Sequence, residues 1–148
     1  MDIRLPGLSL LMALAVALLA PAPAAADLWD RLSGSDDGFL PVDEAFRIQP
    51  AERHGDRLRL AWRIEPEHYL YQHAVTVQSA DATLGEPGFD GGEPYVDEHF
   101  GEVMIHRGEM VVWVPIREGR PTAVQVGYQG CADAGLCYPP QTRELEVD

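Results

Sequence analysis

An alternation of apolar and charged residues over Arg57–Ile64 constrains the fold of this 148-residue chain more than any other feature. Leucine, tryptophan and isoleucine occupy every second position, and arginine occupies three of the four positions between them. A period of two is typical of a strand with one buried face. Val124, Val126 and Tyr128 repeat the pattern later in the chain. Both stretches are therefore predicted to be strands of a sheet that covers a core.

Short strands and turns are predicted along the rest of the chain. No segment has a sustained helical period, so the pattern predicts an all-β chain, an antiparallel β-sandwich of the immunoglobulin-like type. Trp62 and Trp113 lie on strand patterns and are expected in its core. The other predicted elements are a short strand and a turn (residues 39–46), a turn (65–68), a strand (69–78), a loop or irregular edge (81–93), a hairpin of residues 103–106 and 110–116 around Arg107-Gly108-Glu109, and a last strand (142–147).

Residues 1–26 have the features of a secretory signal peptide. An arginine near the start is followed by an apolar run over residues 8–20, and the small residues Ala24 and Ala26 suit a cleavage site. The run is short for a membrane span of about 20 residues, although an uncleaved anchor is left as an alternative. We therefore expect an exported domain, residues 27–148, in a compartment such as the bacterial periplasm, where disulfides persist.

The chain is strongly acidic, with a formal net charge of −13 at pH 7 and no lysine. Nucleic acids and anionic membranes are bound through basic patches. The charge therefore argues against nucleic acid and anionic lipid as partners. It does not identify a partner by itself, because such a charge also keeps an exported domain soluble.

The only two cysteines, Cys131 and Cys137, lie in a segment rich in Gly, Ala and Pro. They can pair only if the backbone brings their Cα atoms within about 4.4–6.8 Å. We expect Gly130 and Gly135 to supply the positive φ that such a curl needs. A disulfide across so small a loop removes only about 2–2.5 kcal/mol of unfolded-chain entropy. The residues alone therefore leave a structural staple and a redox-active disulfide equally open.

The sequence GCADAGLCYPP, residues 130–140, resembles the active-site segment of the N-terminal periplasmic domain family of the thiol:disulfide interchange protein DsbD. Three further segments resemble the family in the same order along the chain: FLPVDEAF (39–46), HYLY (68–71) and DEHFG (97–101). Together these segments are distributed along essentially the whole chain after the signal segment. The family domain has an immunoglobulin-like fold, which agrees with the strand pattern.

The resemblance implies an electron carrier that works by thiol:disulfide exchange, with a Cys131–Cys137 disulfide and no further cofactor. In the family, a thioredoxin-like domain, itself served by a membrane domain, supplies the electrons. Thioredoxin-fold proteins of the periplasm receive them, including disulfide isomerases and cytochrome c maturation factors. By the family pattern, Cys137 forms the mixed disulfide and Cys131 resolves it. Because family members normally continue into the membrane domain beyond the position of residue 148, both a fragment of such a protein and a separate domain are left open.

The resemblance also assigns roles to residues around the cysteines. Asp97 and Glu98 match acidic residues near the family's active site, where a carboxylate raises the pKa of a thiol and can transfer a proton. Tyr69 and Tyr71 lie on one strand face and are expected to pack against the disulfide or to hydrogen-bond near it. Tyr138 and the two prolines that follow it are expected to shape the rim that a partner contacts. A solvated acidic turn and ordinary strand tyrosines remain the alternatives.

The cap loop departs from the family pattern. The family shields its disulfide with an aromatic residue, usually Phe followed by Tyr after the acidic pair, whereas this chain has His99 and Phe100. Either His99 is the lid, or Phe100 takes that role with a shifted loop. If His99 is the lid, its protonation between about pH 5 and 8 is expected to loosen the cap and speed exchange with external thiols.

Two other classes of function remain open. A metal-binding module would use Cys131 and Cys137 with His99 or His106, because thiolates and imidazoles suit zinc or copper(I). The cysteine spacing is not a common one for zinc, however. A secreted β-sandwich with an inert disulfide would instead act as a binding domain. The sequence contains no nucleotide-binding loop, no Ser/His/Asp pattern at a recognisable spacing and no zinc-protease motif.

Overall fold

The computed structural model describes residues 38–148, so the predicted signal peptide and the start of the predicted exported domain lie outside the described residues. The described part is mostly antiparallel β-structure, as predicted. No helix within it is long and apolar enough to cross a membrane. Its elements are helix α1 (Val42–Ala45) and strands β1 (Phe46–Ile48), β2 (Glu52–His54), β3 (Arg57–Ile64), β4 (His68–Tyr71), β5 (Thr76–Gln78), β6 (Ala82–Leu84), β7 (Gly88–Asp90), β8 (Glu93–Asp97), β9 (Gly101–His106), β10 (Glu109–Gly119), β11 (Ala123–Tyr128), β12 (Gly130–Ala132) and β13 (Gln141–Glu146), with a 3-10 turn at Gln72–Ala74.

Three antiparallel sheets make up this immunoglobulin-like β-sandwich. The large sheet has the strand order β1-β3-β10-β6, with β2 beside β3 and β7 beside β10. Strands β6 and β7 are three residues long and lie in the region predicted as a loop or irregular edge. A second sheet has the order β13-β11-β5. The third, β12-β4-β9-β8, contains the cysteine Cys131 and is called the site sheet.

The main core contains side chains from the large sheet and from β11. Leu58, Leu60 and Trp62 of β3 are completely buried, which confirms the predicted buried face. The valine and methionine side chains that β10 places opposite them are completely buried as well. The Trp62 ring packs edge-to-face against Tyr128 of β11, with 5.7 Å between the ring centroids. The residues that alternate in the sequence therefore form the centre of the core.

The predicted hairpin around Arg107-Gly108-Glu109 is wrong. β9 pairs with β4 and β8 in the site sheet, whereas β10 pairs with β3, β6 and β7 in the large sheet. Gly108, at φ 72°, turns the chain between the two sheets. Its carbonyl accepts a hydrogen bond from the Ile64 amide at 2.8 Å. Apolar alternation shows which face of a strand is buried but not which strand lies beside it, and this is why the pairing was missed.

The single strand predicted over residues 69–78 is two strands in different sheets. β4 pairs with β9 and β12, and β5 pairs with β11. The 3-10 turn at Gln72–Ala74 joins them. This turn lets Tyr69 and Tyr71 belong to the site sheet while Val77 packs against the main core.

Two smaller predictions are also wrong. Residues 39–46 form α1 followed by the start of β1 rather than a strand and a turn. Trp113 lies half-buried outside the core, because Val112 and Val114 occupy the inward positions of β10. The indole nitrogen of Trp113 donates instead to the Asp90 carboxylate at 2.8 Å.

Candidate active site around the Cys131–Cys137 disulfide

Cys131 and Cys137 form the predicted disulfide. Their Cα atoms are 4.0 Å apart, and the two residues face each other as an antiparallel β-bridge. Between them, the Ala132 amide donates to the Leu136 carbonyl at 2.7 Å and the Gly135 amide donates to the Ala132 carbonyl at 3.0 Å. The loop between the cysteines is therefore shaped largely by its own backbone hydrogen bonds.

The two glycines beside the cysteines have different roles. Gly135, at φ 105°, has the predicted positive φ within the loop. Gly130 does not have a positive φ and lies in β12 instead. A Cβ at position 130 would come within 2.3 Å of the Tyr69 carbonyl oxygen and 2.7 Å of Phe46 Cζ. Close approach of β12 to its neighbours, and not a turn, therefore requires glycine here.

The two cysteines differ in exposure. Cys131 lies opposite Tyr69 in the site sheet and is 1% exposed. Cys137 follows the loop and is an exposed residue. Exchange depends on access to the sulfur that is attacked. Of the two residues, Cys137 is therefore the more accessible to a protein that approaches from solvent.

The site sheet has a small hydrophobic cluster of its own, the site cluster, formed by Tyr69, Tyr71, Ile105 and Cys131. The Tyr69 and Tyr71 rings lie edge-to-face with their centroids 5.5 Å apart. The Tyr71 hydroxyl oxygen is 3.3 Å from Cys131 Sγ. Tyr71 therefore contacts the disulfide directly, and Tyr69 packs against Tyr71.

Asp97 is buried at the end of β8 and is linked to the disulfide through Tyr71. The Tyr71 hydroxyl donates to Asp97 Oδ2, and the backbone amides of His99 and Phe100 donate to Oδ1 at 2.8 and 3.0 Å. These hydrogen bonds, the one from Tyr71 above all, hold the pKa of Asp97 below its usual value. Burial, together with the hydrogen bond to Asp97, raises the pKa of Tyr71. At neutral pH, Asp97 is therefore ionised and Tyr71 is neutral.

Glu98, unlike Asp97, is not buried in the site. Its residue is exposed, and its carboxylate makes no hydrogen bond or ion pair with any other described residue. The structure therefore connects one member of the predicted acidic pair to Cys131. A role for Glu98 at the thiols stays a prediction.

Phe100, rather than His99, contacts the site cluster. The Phe100 ring lies edge-to-face against Tyr71 at 5.3 Å and against His73 at 4.8 Å between centroids, although Phe100 remains 51% exposed. His99 is exposed and reaches Asp97 through its backbone amide. This geometry favours the second of the two predictions for the cap, in which Phe100 is the lid.

Sequence reasoning missed Arg107, which it assigned to a hairpin turn. The Arg107 guanidinium contacts both carboxylate oxygens of Asp133 at 3.0 Å, and Nε donates to Glu93 at 3.0 Å. Its Cζ lies 5.1 Å from the centroid of the Tyr69 ring. The pKa of Arg107 is raised, mainly by the hydrogen bond to Asp133. These contacts join separate parts of the chain, so no sequence period marks the residue.

Tyr138 does not lie on the rim predicted for it. It is 6% exposed, and its ring packs edge-to-face against Phe46 at 5.3 Å. Its hydroxyl donates to the Leu40 carbonyl at 2.8 Å and lies 3.4 Å from His68 Nε2. Tyr138 therefore anchors the chain after Cys137 in the main core, because an aromatic ring of this size is stabilised by burial.

The residues considered as metal ligands are not brought together. His106 is 2% exposed, its Nε2 lies 3.0 Å from Gln72 Oε1, and burial lowers its pKa. Across residues 38–148, no three His, Cys, Asp or Glu side chains are grouped so that they could hold a metal ion. The geometry therefore gives no support to a metal-binding module built on Cys131 and Cys137.

Comparison with known proteins gives consistent matches along most of the chain. The family model described as "Thiol:disulfide interchange protein DsbD, N-terminal" matches residues 36–148. The thiol:disulfide interchange protein DsbD of Pectobacterium atrosepticum is 41% identical over 142 residues, which cover 94% of this chain and 24% of that protein. The protein of the same name from Yersinia enterocolitica is 39% identical over 146 residues, which cover 95% and 25%. The chain thus spans about a quarter of the length of these relatives.

Solved structures share the fold. The N-terminal domain of Neisseria meningitidis DsbD in the reduced form matches with a TM-score of 0.66 and 30% identity, over 84% of this chain and 93% of that chain. The complex between the DsbD and PilB N-terminal domains from the same organism matches with a TM-score of 0.61 and 32% identity, over 74% of this chain and 87% of the matched one. The match to the family model, the relatives and the shared fold all lead to one conclusion: this chain belongs to the family of the DsbD N-terminal domain.

Proposed function

We propose that this chain is a thiol:disulfide oxidoreductase domain that relays electrons from a thioredoxin-like donor to thioredoxin-fold acceptor proteins. The observation that carries the proposal is a disulfide between a buried cysteine, Cys131, and an exposed one, Cys137, in a short loop. Membership of the DsbD N-terminal domain family supports the same class of reaction.

In the proposed reaction, the Cys137 thiolate attacks one sulfur of an acceptor disulfide. A mixed disulfide forms, and the second acceptor sulfur leaves as a thiolate. The Cys131 thiolate then attacks Cys137 Sγ, which forms the internal disulfide and releases the first acceptor sulfur. Two electrons pass to the acceptor, whose two thiolates take up protons. A reduced thioredoxin-like donor regenerates the Cys131–Cys137 dithiol by the reverse sequence of steps.

Exposure supports this order of attack. Cys131 is 1% exposed and packs with Tyr69 and Tyr71 in the site cluster, so a partner sulfur reaches it only if the cluster opens. Cys137 is an exposed residue, so a partner can reach it without opening the site cluster. The buried Cys131 is nevertheless close to Cys137, as the resolving step requires.

Tyr71 and Asp97 are proposed to keep Cys131 protonated until that step. Ionised Asp97 accepts the only hydroxyl proton of Tyr71, so the lone pairs of the Tyr71 oxygen are left for Cys131 Sγ. In the reduced state, this oxygen can accept a hydrogen bond from the Cys131 thiol, which favours the thiol over the thiolate. The negative charge of Asp97 acts in the same direction. Cys131 of the reduced domain would therefore react slowly with thiol-reactive molecules.

The proposed location is the periplasm, and the proposed partners are thioredoxin-fold proteins such as disulfide isomerases and cytochrome c maturation factors. The signal-peptide features of residues 1–26 and the presence of a disulfide support an oxidising compartment. A solved relative forms a complex with the PilB N-terminal domain, which supports docking of a protein partner. Phe100 is proposed to shield the site between encounters.

Trapping of the mixed disulfide tests the proposal. Variants Cys131→Ser and Cys137→Ser are each reduced and mixed with a single-cysteine thioredoxin-fold protein whose thiol is activated as a thionitrobenzoate disulfide. Release of thionitrobenzoate reports attack on the partner, and mass spectrometry identifies the complex. We expect Cys131→Ser, which retains Cys137, to react about tenfold faster or more, because Cys137 is the exposed residue of the pair and Cys131 is buried. Equal rates, or faster reaction through Cys131, would contradict the proposed order.

A further inference from the structure

The loop between the cysteines, residues 132–136, is connected to other parts of the fold by packing of Leu136 against the main core and by a small number of hydrogen bonds. Its backbone is tied to strand β4 and the preceding turn by β12 pairing and by the Asp133 amide, which donates to the Glu67 carbonyl at 2.8 Å. Among the described residues, the contact between Asp133 and Arg107 is the only side-chain hydrogen bond that links this loop to another element. Within residues 38–148, Arg107 is therefore the side chain that holds the loop by hydrogen bonds.

Arg107 makes this contact in a specific geometry. Its two terminal nitrogens each lie 3.0 Å from one carboxylate oxygen of Asp133, while Nε donates to Glu93 of β8. Bidentate pairs of this kind fix orientation as well as distance, and they are stronger than single neutral hydrogen bonds. The guanidinium also lies over the ring of Tyr69, which belongs to the site cluster. Arg107 thus joins the loop, the edge strand β8 and the site cluster.

We propose that Arg107 is a positioning residue, which holds the loop so that Cys131 and Cys137 stay within reach of each other while the disulfide is open. The inference rests on the exchange reaction proposed above. When the disulfide is closed, the covalent bond itself keeps the two sulfurs together. When it is reduced, that closure is lost, and the loop is held by its hydrogen bonds and by the packing of Leu136 against the main core. The contact with Asp133 raises the effective concentration of one thiol at the other and so favours disulfide formation.

The alternative to positioning is a direct effect of charge on the thiols. A positive charge near a thiol stabilises its thiolate, and a negative charge destabilises it. Replacing Arg107 and replacing Asp133 would then have opposite effects, because the two side chains carry opposite charges. Positioning predicts effects of the same sign, because either replacement breaks the same contact. The sign of the two effects therefore separates the explanations.

The experiment measures the equilibrium constant for oxidation of the Cys131–Cys137 dithiol by glutathione disulfide, in which each protein disulfide formed yields two glutathione thiols. It uses the chain purified from the periplasm of an expression host, and the variants Arg107→Gln, Asp133→Asn and the double variant. Glu93→Gln is the matched control, since it removes the other partner of Arg107 but leaves the contact with the loop. Thermal unfolding of the oxidised forms checks that each variant is folded.

We expect both single variants and the double variant to lower the equilibrium constant by about five- to tenfold, where tenfold corresponds to about 30 mV. The double variant should match the singles, because one contact is lost in all three. Glu93→Gln should change the constant by less than about twofold, because it leaves the contact between Arg107 and the loop in place. Changes of opposite sign, additive effects, or no change on replacing Arg107 would overturn the proposal. The equilibrium constant of the unmodified chain tests the proposed exchange function. The ratio of each variant's constant to that value tests the role of Arg107, so the two proposals can fail separately.

Discussion

The main core and the site cluster are both buried, but they are built in different ways. The main core takes alternate side chains from β3, β10 and β11, and its residues are almost all apolar. Two of its polar atoms, Trp62 Nε1 and the Tyr128 hydroxyl, have no hydrogen-bond partner among the described residues. In the site cluster, by contrast, a connected path of contacts runs from Asp97 through the Tyr71 hydroxyl to Cys131 Sγ.

This difference indicates that the main core mainly determines the stability of the fold and that the site cluster mainly determines the reactivity of the cysteines. Apolar burial in the main core is non-directional and stabilises the fold in proportion to the area removed from water. The path through Tyr71 is directional, and a change of one proton or one hydroxyl alters the whole path. We therefore expect substitutions in the main core to change the free energy of unfolding, and substitutions in the site cluster to change reactivity at the cysteines.

The largest effect on stability is expected in the main core. Leu60→Ala should lower the free energy of unfolding by about 2–5 kcal/mol, because it removes a completely buried side chain and leaves a cavity. Urea unfolding of the oxidised protein measures this loss. The rate of reduction by dithiothreitol, measured well below the unfolding transition, should change by less than about twofold. A large change in that rate would show that the two regions are coupled.

Tyr71→Phe should change both the stability of the fold and the chemistry of Cys131. It removes a hydrogen bond to a charged carboxylate, which costs about 1.5–3 kcal/mol. It also removes the hydrogen-bond acceptor that faces Cys131. The pKa of the Cys131 thiol should therefore fall by about one unit, which corresponds to about 1.4 kcal/mol. The measurement is the pH dependence of Cys131 alkylation in a Cys137→Ser background.

Tyr69→Phe is the matched control for this prediction, since Tyr69 makes no hydrogen bond to either cysteine among the described residues. Its alkylation profile should follow that of the parent variant. If Tyr69→Phe and Tyr71→Phe shift the profile equally, the contact between the Tyr71 hydroxyl and Cys131 Sγ does not control the thiol.

Asp97→Asn should make the stability of the chain less dependent on pH in the acid range. The pKa of Asp97 is lowered in the folded state, so its contribution is present above the usual aspartate pKa of about 3.9 and is lost as the pH falls through the lower folded pKa. The variant should therefore be less stable by about 1 kcal/mol at pH 7. This difference should narrow below about pH 3.5.

Urea unfolding at neutral and acid pH measures the effect of Asp97→Asn. Glu98→Gln is the matched control, because its carboxylate has no hydrogen-bond partner among the described residues. It should change the free energy of unfolding by less than about 0.5 kcal/mol, as expected for an exposed side chain. A difference between Asp97→Asn and the wild type that stays constant down to pH 3 would contradict the assignment of Asp97 as an ionised acceptor.

The smallest effect on stability is expected at the cap. Phe100→Ala should cost less than about 0.5 kcal/mol, because the residue is half exposed. It should still speed reduction of the disulfide by dithiothreitol by about threefold or more, because access to the sulfur increases. His99→Phe should leave the pH profile of this rate between pH 5 and 8 unchanged if Phe100 is the lid. A flatter profile in His99→Phe would restore His99 as a pH-sensitive lid.

The sequence predicted the main core well because the information is local. Leu58, Leu60 and Trp62 alternate within one strand, and their burial follows from that period alone. Strand pairing is not local, and the hairpin assigned to residues 103–116 is wrong for this reason. Trp113 was misplaced because an aromatic side chain on a strand pattern was expected in the core, although its two valine neighbours occupy the inward positions.

The site was predictable only in part. The resemblance to the family implied that four residues lie together, and the structure brings them together: Cys131, Cys137, Tyr71 and Asp97. The strand pattern alone did not predict this grouping. Arg107 could not be found from the sequence, because its contacts depend on the positions of Glu93, Asp133 and Tyr69 in three separate elements. A lone arginine in a turn carries no signal of such contacts.

The reduction potential of the Cys131–Cys137 pair tests the central claim most directly. The oxidised chain is equilibrated with glutathione buffers of known potential, and the fractions of disulfide and dithiol are measured after acid quenching. The proposed exchange function predicts a value above about −300 mV, the value below which structural disulfides usually lie. A value below that limit, together with no exchange with a thioredoxin-fold protein, would contradict the account and leave a stapled β-sandwich.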